Sequence, residues 1–273
     1  MSMPTNVSPT PTDPLAGVTV LVTRPRHQAG RLCQLIEARG GRAVLFPALE
    51  ITEIEDSSPA RELIARLEEF DFAIFVSANA VQMAAPMLDS RVDFPAWLQV
   101  AAIGKRTAEA LQTQGLRVDI VPQEGFTSEA LLAMPEMHEV QGKNVVIFRG
   151  AGGREALGDA LTQRGAQVSY AEVYRRVRPA GEGVALTKIL EENSHLVIVV
   201  TSNEGLQNLF DMAGQQGQPL LQRAVLVVMS KRNAELARGL GFSAPPVVVE
   251  RAGDEGLLDA ALIAARGKSR GDS

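Results

Sequence analysis

Tyr174, Arg175, Arg176 and Arg178 crowd the end of a stretch, 144–179, that reads strand, Gly-rich turn, helix, strand. A phenol among guanidinium groups suits proton donation beside an anionic reactant: the cations draw the anion and the phenol carries the proton. No Ser/His/Asp or Cys/His arrangement competes for that role. The same residues also suit an amphipathic linker strand with a solvated basic face, and spacing leaves both possibilities open.

Six turns offer a second chemistry. They are Thr23-Arg24-Pro25, Ser77-Ala78-Asn79, Gly104-Lys105-Arg106-Thr107, Arg149-Gly150-Ala151-Gly152, Thr201-Ser202-Asn203 and Ser230-Lys231-Arg232. Each follows an apolar run and opens a helical pattern, where unpaired N–H groups and the positive end of the helix dipole favour carboxylates or phosphates. Each alone reads first as a helix cap; together, with their added Arg and Lys, they point to recognition of a polyanion. The run Gly150-Ala151-Gly152-Gly153-Arg154-Glu155 is a broken dinucleotide fingerprint, because Glu155 stands where the third glycine belongs. Glu109 and Glu129 read as solvent charges on helices.

Composition excludes several classes. A net charge of −5 argues against a general nucleic-acid binder, while leaving room for a local basic cleft. Three scattered histidines (His27, His138, His195) and one cysteine offer no metal cluster and no internal disulfide framework. Cys33 shares a helical stripe with Ala29, Leu32 and Ile36 and reads as buried filler; a lone cysteine fits a reducing cytoplasm. No apolar run approaches the ~18 residues of a membrane helix. The first residues, MSMPTNVSPTPTDPLAG, lack the charge and apolar core of a secretory signal, and their prolines and hydroxyl residues predict a disordered lead-in over 1–16.

The elements that must position these residues alternate strictly. Buried-strand runs at 18–22, 72–76, 100–103, 118–121, 195–200, 224–229 and 246–249 are separated by amphipathic helical patterns, and 43–52 reads as one extended segment carrying Pro47. That alternation predicts an α/β fold with parallel sheets covered by helices on both faces. Three sub-patterns occur twice: VLVTRP…LFPALEI with VVIFRG…SYAEVYRR, FAIFVSANAV with HLVIVVTSNEGL, and AAIGKRTAEAL…TSEALL with LVVMSKRNAEL…EGLLDAL. The order A-B-C, A′-B′-C′ allows tandem halves, or one domain from A with B′-C′ and another from B-C with A′.

In this order, VLVTRP with Gln28, Pro47, FVSANAV, AIGKRTAEAL, Pro122, TSEALL, FRGAGGREALGDALTQRGAQVSYAEVYRR, VVTSNEGLQNL and VVMSKRNAELARGLGF resemble the uroporphyrinogen-III synthases, over nearly the whole chain after residue 16. The resemblance implies two flavodoxin-like parallel-sheet domains joined by a two-stranded β linker. The first domain would be discontinuous (17–46 with 176–273), the second would span 52–165, and the linkers 43–52 and 166–178. The residues themselves, with one cysteine, a negative net charge, no membrane-length apolar run and no exposed heptad, point to a cytoplasmic monomer that binds neither nucleic acid nor membrane. The resemblance implies that this monomer needs no metal or organic cofactor. Its small-molecule substrate is hydroxymethylbilane, a linear octacarboxylate, received in passing from the preceding pathway enzyme. The enzyme closes the macrocycle with inversion of the terminal pyrrole ring and loss of water. Carried onto this chain, Tyr174 is the general acid and Thr107 a secondary polar participant. Arg24, Gln28, Ser77, Asn79, Gly104, Lys105, Ser128, Arg149, Gly150, Gly152, Thr201, Ser202, Asn203, Ser230 and Lys231 dock carboxylates. Two other classes fit the residues less well: a non-catalytic two-domain hinge protein clamping an anion, and a nucleotide-dependent oxidoreductase.

Overall fold

A computed structural model of the chain describes residues 13–88, 94–125 and 127–268, with Gly267 and Lys268 described by backbone only. The chain first lays down β1 (Thr19–Val22), α1 (Arg26–Glu37) and β2 (Arg42–Leu45). There follow β3 (Glu50–Thr52), α2 (Ser58–Ile64), β4 (Phe72–Phe75), α3 (Ala78–Ala84), β5 (Gln99–Ala102), α4 (Lys105–Thr113) and α5 (Ser128–Leu132). Next come β6 (Asn144–Gly150), α6 (Ala156–Gln163) and the long β7 (Gln167–Val177). The remainder is α7 (Gly183–Glu192), β8 (Leu196–Val200), α8 (Asn203–Leu221), β9 (Val225–Val228), α9 (Lys231–Gly239), β10 (Val247–Val248) and α10 (Asp254–Lys268). By contacts, the described residues up to Glu50 group with those from Val177 onward, and Ile51–Arg176 form a second compact unit.

Each unit holds one five-stranded sheet. The first runs β10-β9-β8-β1-β2 and the second β3-β7-β6-β4-β5; the registers resolved within them are parallel. Numbered within the first unit, that order is the doubly wound 2-1-3-4-5. In the second, β7-β6-β4-β5 repeats the same neighbours. Both faces of the central strands are covered, which is why they read as unbroken apolar runs. Val20 and Val22 of β1 pack with α1 and α10, and Leu21 with residues of α7, α8 and α9. Ala73 and Phe75 of β4 pack with α2, α3 and α4, and Phe72 and Ile74 with α5 and α6.

The structure departs from sequence expectation in four places. The segment 43–52 is not one extended piece but β2 and β3, which belong to different sheets. Pro47 between them has no N–H to continue a ladder. The strand expected at 118–121 shrinks to a single bridge between Ala101 and Ile120. There the Asp119 carboxylate, not a backbone carbonyl, accepts the Val100 N–H at 2.8 Å. Within the expected disordered lead-in, 1–12 lie outside the described residues, but Leu15 is fully buried and its N–H donates to the Arg39 carbonyl at 3.0 Å. Leu15 is ordered because it closes the apolar cluster under α1. Cys33 sits half-buried beside the stripe of Ala29, Leu32 and Ile36 rather than inside it, and partial burial raises its thiol pKa. Among the described residues no helix is long and apolar enough to cross a membrane.

Candidate active site

In open parallel sheets, ligands gather beyond the carboxyl ends of the strands. In the second unit the ends of β6, β4 and β5 lie side by side, and each leads into a turn. Ser77 caps α3, its hydroxyl accepting the Ala80 N–H at 3.0 Å. Gly104 caps α4 in an extended conformation. Thr127 caps α5 by accepting the Ala130 N–H at 3.3 Å. Beside these ends lies a cavity of about 420 Å³. Val76, Ile103, Ile147 and Leu157 form its apolar wall, and Arg149, Arg154 and Arg176 its cationic one, with Thr127, Ser128 and Glu129 at the start of α5.

Arg149 is the best held of the three arginines. It is 8 % exposed, donates to Glu172 Oε1 at 3.0 Å and to the Gly153 carbonyl at 3.3 Å, and stacks on Tyr170 with its guanidinium carbon 3.8 Å from the ring centroid. Its Nε is buried without a hydrogen-bond partner among the described residues. A buried donor left unpaired costs free energy unless a ligand supplies the acceptor. Burial raises the Tyr170 phenol pKa, Arg149 opposes that, and Asp159 and Glu155 add to it, so the phenol stays neutral. Glu129 is kept ionised by its own backbone N–H first, then by the Thr127 hydroxyl and Arg154.

A bulge decides where the two tyrosines go. Arg149 is in register with Glu172, but Gly150 pairs with Tyr174, skipping Val173. An extra residue on one strand re-aims the side chains that follow it. Tyr170 therefore packs with the cluster on one face of the sheet and Tyr174 with the cluster on the other. Tyr174 is 1 % exposed. Its ring lies against Gly150, where an added Cβ would come within 2.6 Å of two ring carbons. The phenol oxygen is 3.3 Å from Ser77 Oγ and accepts from Arg176 at 3.4 Å.

The first unit assembles its own turns at the ends of β9, β8 and β1. Ser202 caps α8 by accepting the Gly205 N–H at 3.0 Å, and Ser230 caps α9 by accepting the Asn233 N–H at 3.3 Å. Buried Asn233 ties the two turns together by donating to Asn203 Oδ1 at 2.5 Å. Arg24, at the end of β1, is 6 % exposed and donates to Asp254 Oδ1 at 2.5 Å. That contact occupies Arg24 Nη1 within the first unit.

Of the expected residues, Ser128, Arg149 and Gly150 come together on the cavity wall, and Ser77 reaches Tyr174. Thr107 is buried in the first turn of α4 and is not part of that wall. Lys105 and Lys231 are exposed at the starts of α4 and α9; Gly152 makes the turn after β6 at φ 65°. Asn79 is half-buried on α3, Thr201 half-buried beside Ser202, and half-buried Gln28 lies 3.1 Å from His27 on α1. Sequence inspection gave Tyr170 no role. Counting back by two from Glu172 along β7 would have placed it on the face Arg149 shares. Among the described residues no group of three or more His, Cys, Asp or Glu side chains is placed to hold a metal ion.

Comparison with known proteins agrees over most of the chain. The family described as Uroporphyrinogen-III synthase HemD matches residues 30–259. The uroporphyrinogen-III synthase of Escherichia coli K12 is 34% identical over 245 residues, covering 89% of this chain and 99% of that protein. That of Salmonella typhimurium is 35% identical over 246 residues, covering 89% and 99%. In fold, a solved uroporphyrinogen III synthase of Thermus thermophilus superposes with a TM-score of 0.64 at 18% identity, covering 92% of this chain and 99% of that one. The chain belongs to the uroporphyrinogen-III synthases, enzymes of tetrapyrrole biosynthesis.

Proposed function

We propose that the enzyme takes hydroxymethylbilane, a linear tetrapyrrole with eight carboxylates, and closes it to uroporphyrinogen III with inversion of the terminal ring and loss of water. The observation that carries this is the cationic cavity of the second unit, where Arg149 keeps a buried, unpartnered Nε beside Arg154 and Arg176. A non-catalytic anion clamp would use the same docks, but the family to which the chain belongs favours the enzyme.

The open chain closes unaided to the uninverted isomer, so the work is chiefly to hold one folded conformation, a matter of orientation. Carboxylates dock on Ser128, Arg149 and Gly150 in the second unit, and on the turns of Ser202, Asn203, Ser230 and Lys231 in the first. Departure of the hydroxymethyl oxygen needs a proton, so that it leaves as water. Tyr174 supplies it, with the Ser77 hydroxyl 3.3 Å away as its neighbour and Arg176 beside it to stabilise the phenolate. The strand orders support a finer description: two flavodoxin-like domains, the first discontinuous. We further propose a cytoplasmic monomer that receives its substrate from the preceding pathway enzyme in passing.

Incubation with freshly made hydroxymethylbilane, oxidation and chromatography of the porphyrin isomers tests the proposal. Type III isomer formed faster than spontaneous closure is expected; type I isomer alone, at the spontaneous rate, would remove it.

A further inference from the structure

Tyr170 makes two contacts that no role yet explains. Its ring face carries the Arg149 guanidinium, 3.8 Å from the centroid. Its hydroxyl lies so close to α6 that a Cβ added at Gly158 would stand 1.9 Å from it. Glycine weakens a helix interior relative to alanine, and here the missing Cβ is what seats the phenol. The seat and the stack fix a ring on the cavity wall, and the ring in turn fixes an arginine whose Nε lacks a partner.

We propose that Tyr170 is a positioning residue: its ring holds the Arg149 guanidinium at the cavity wall so that the arginine binds a carboxylate of one pyrrole ring of the substrate. This rests on hydroxymethylbilane being the substrate. The cavity, about 420 Å³, lies toward the lower end of the ~300–1,000 Å³ of small-molecule pockets. It suits a single ring with its acidic arms rather than four. Cation–π stacking orients a planar guanidinium without consuming its N–H donors. Glu172 and the Gly153 carbonyl take two of those donors, leaving others for the ligand.

The test is steady-state kinetics with hydroxymethylbilane on Tyr170→Leu, Tyr170→Phe and Gly158→Ala, with thermal melting alongside. Tyr170→Leu raises KM about tenfold, the scale of one lost cation–π contact and the arginine it orients, while kcat stays within about twofold. Tyr170→Phe keeps the ring and restores the wild-type KM. Gly158→Ala, which pushes the ring off its seat, follows Tyr170→Leu. Type III isomer from the wild type shows that the substrate is as proposed. An unchanged KM in a folded Tyr170→Leu then overturns the positioning role alone. If Tyr170→Leu does not fold, an unchanged KM in Gly158→Ala overturns it, as does Tyr170→Phe as impaired as Gly158→Ala.

Discussion

Arg24 and Arg149 occupy the same place in the repeat, VLVTRP against VVIFRG, each at the end of a strand with two parallel neighbours. Both are more than nine-tenths buried. Their fates diverge because the neighbouring strand differs. Val22 pairs with Leu45 and Ile147 with Tyr170, so Leu45 stands where Tyr170 does. Two residues further on, Pro47 stands where Glu172 does. Among the described residues Arg24 has neither a ring to stack on nor an acid beside it in the sheet, and it pairs with Asp254 at the start of α10. Arg149 has both, and lines a cavity. One arginine is paired at the start of α10, the other lines a cavity, and the residues beside each decide which.

The largest expected effect breaks that contrast from the structural side. Arg24→Met leaves Asp254, 18 % exposed, without its cation, and removing one member of a buried pair costs about 3 kcal/mol. Thermal melting should show it, with KM little changed. Arg149→Met should do the reverse. Loss of a charge-assisted bond to a carboxylate, about 2 kcal/mol, raises KM roughly thirtyfold, while Glu172, a third exposed, remains solvated. Gly150→Ala drives a Cβ against the Tyr174 ring and should lower stability by about 2 kcal/mol through overpacking.

Tyr174→Phe should lower kcat by about tenfold, short of the ~10²-fold typical of general acids, because the reaction closes the ring unaided. Thr107→Ala should lower it less; equal, near-wild-type rates for the two would end the proton-donor role. Because burial and two nearby carboxylates raise the Tyr170 pKa against the pull of Arg149, that phenol stays protonated as pH rises to its ordinary range. Tyr170→Phe should therefore leave the pH–rate profile unchanged there. Smallest is Asn233→Ala in the first unit, which removes the bond to Asn203 and should cost about 1 kcal/mol on denaturant titration.

The parallel sheets were legible because β1, β4, β6 and β8 are buried on both faces and so read as apolar runs. The ends of the ladders were not: Pro47 splits one segment between two sheets, and at Asp119 a side chain replaces a backbone acceptor. The turns were legible as helix starts, since Ser77, Ser202 and Ser230 do cap helices. Which basic residue stays available was hidden, because the acid that holds Arg24 lies 230 residues away in sequence. The bulge hid that Tyr170 and Tyr174 face opposite ways. Tyrosines four apart on a regular strand would share a face, and only the register shift at Gly150 separates them.

The most direct measurement is KM for hydroxymethylbilane in Arg149→Met and Arg24→Met, side by side, at a temperature where both are folded. A KM raised at least about tenfold in Arg149→Met and within about twofold of wild type in Arg24→Met is predicted. Equal shifts, or a larger one in Arg24→Met, would contradict the assignment of Arg149 to the ligand and Arg24 to the fold.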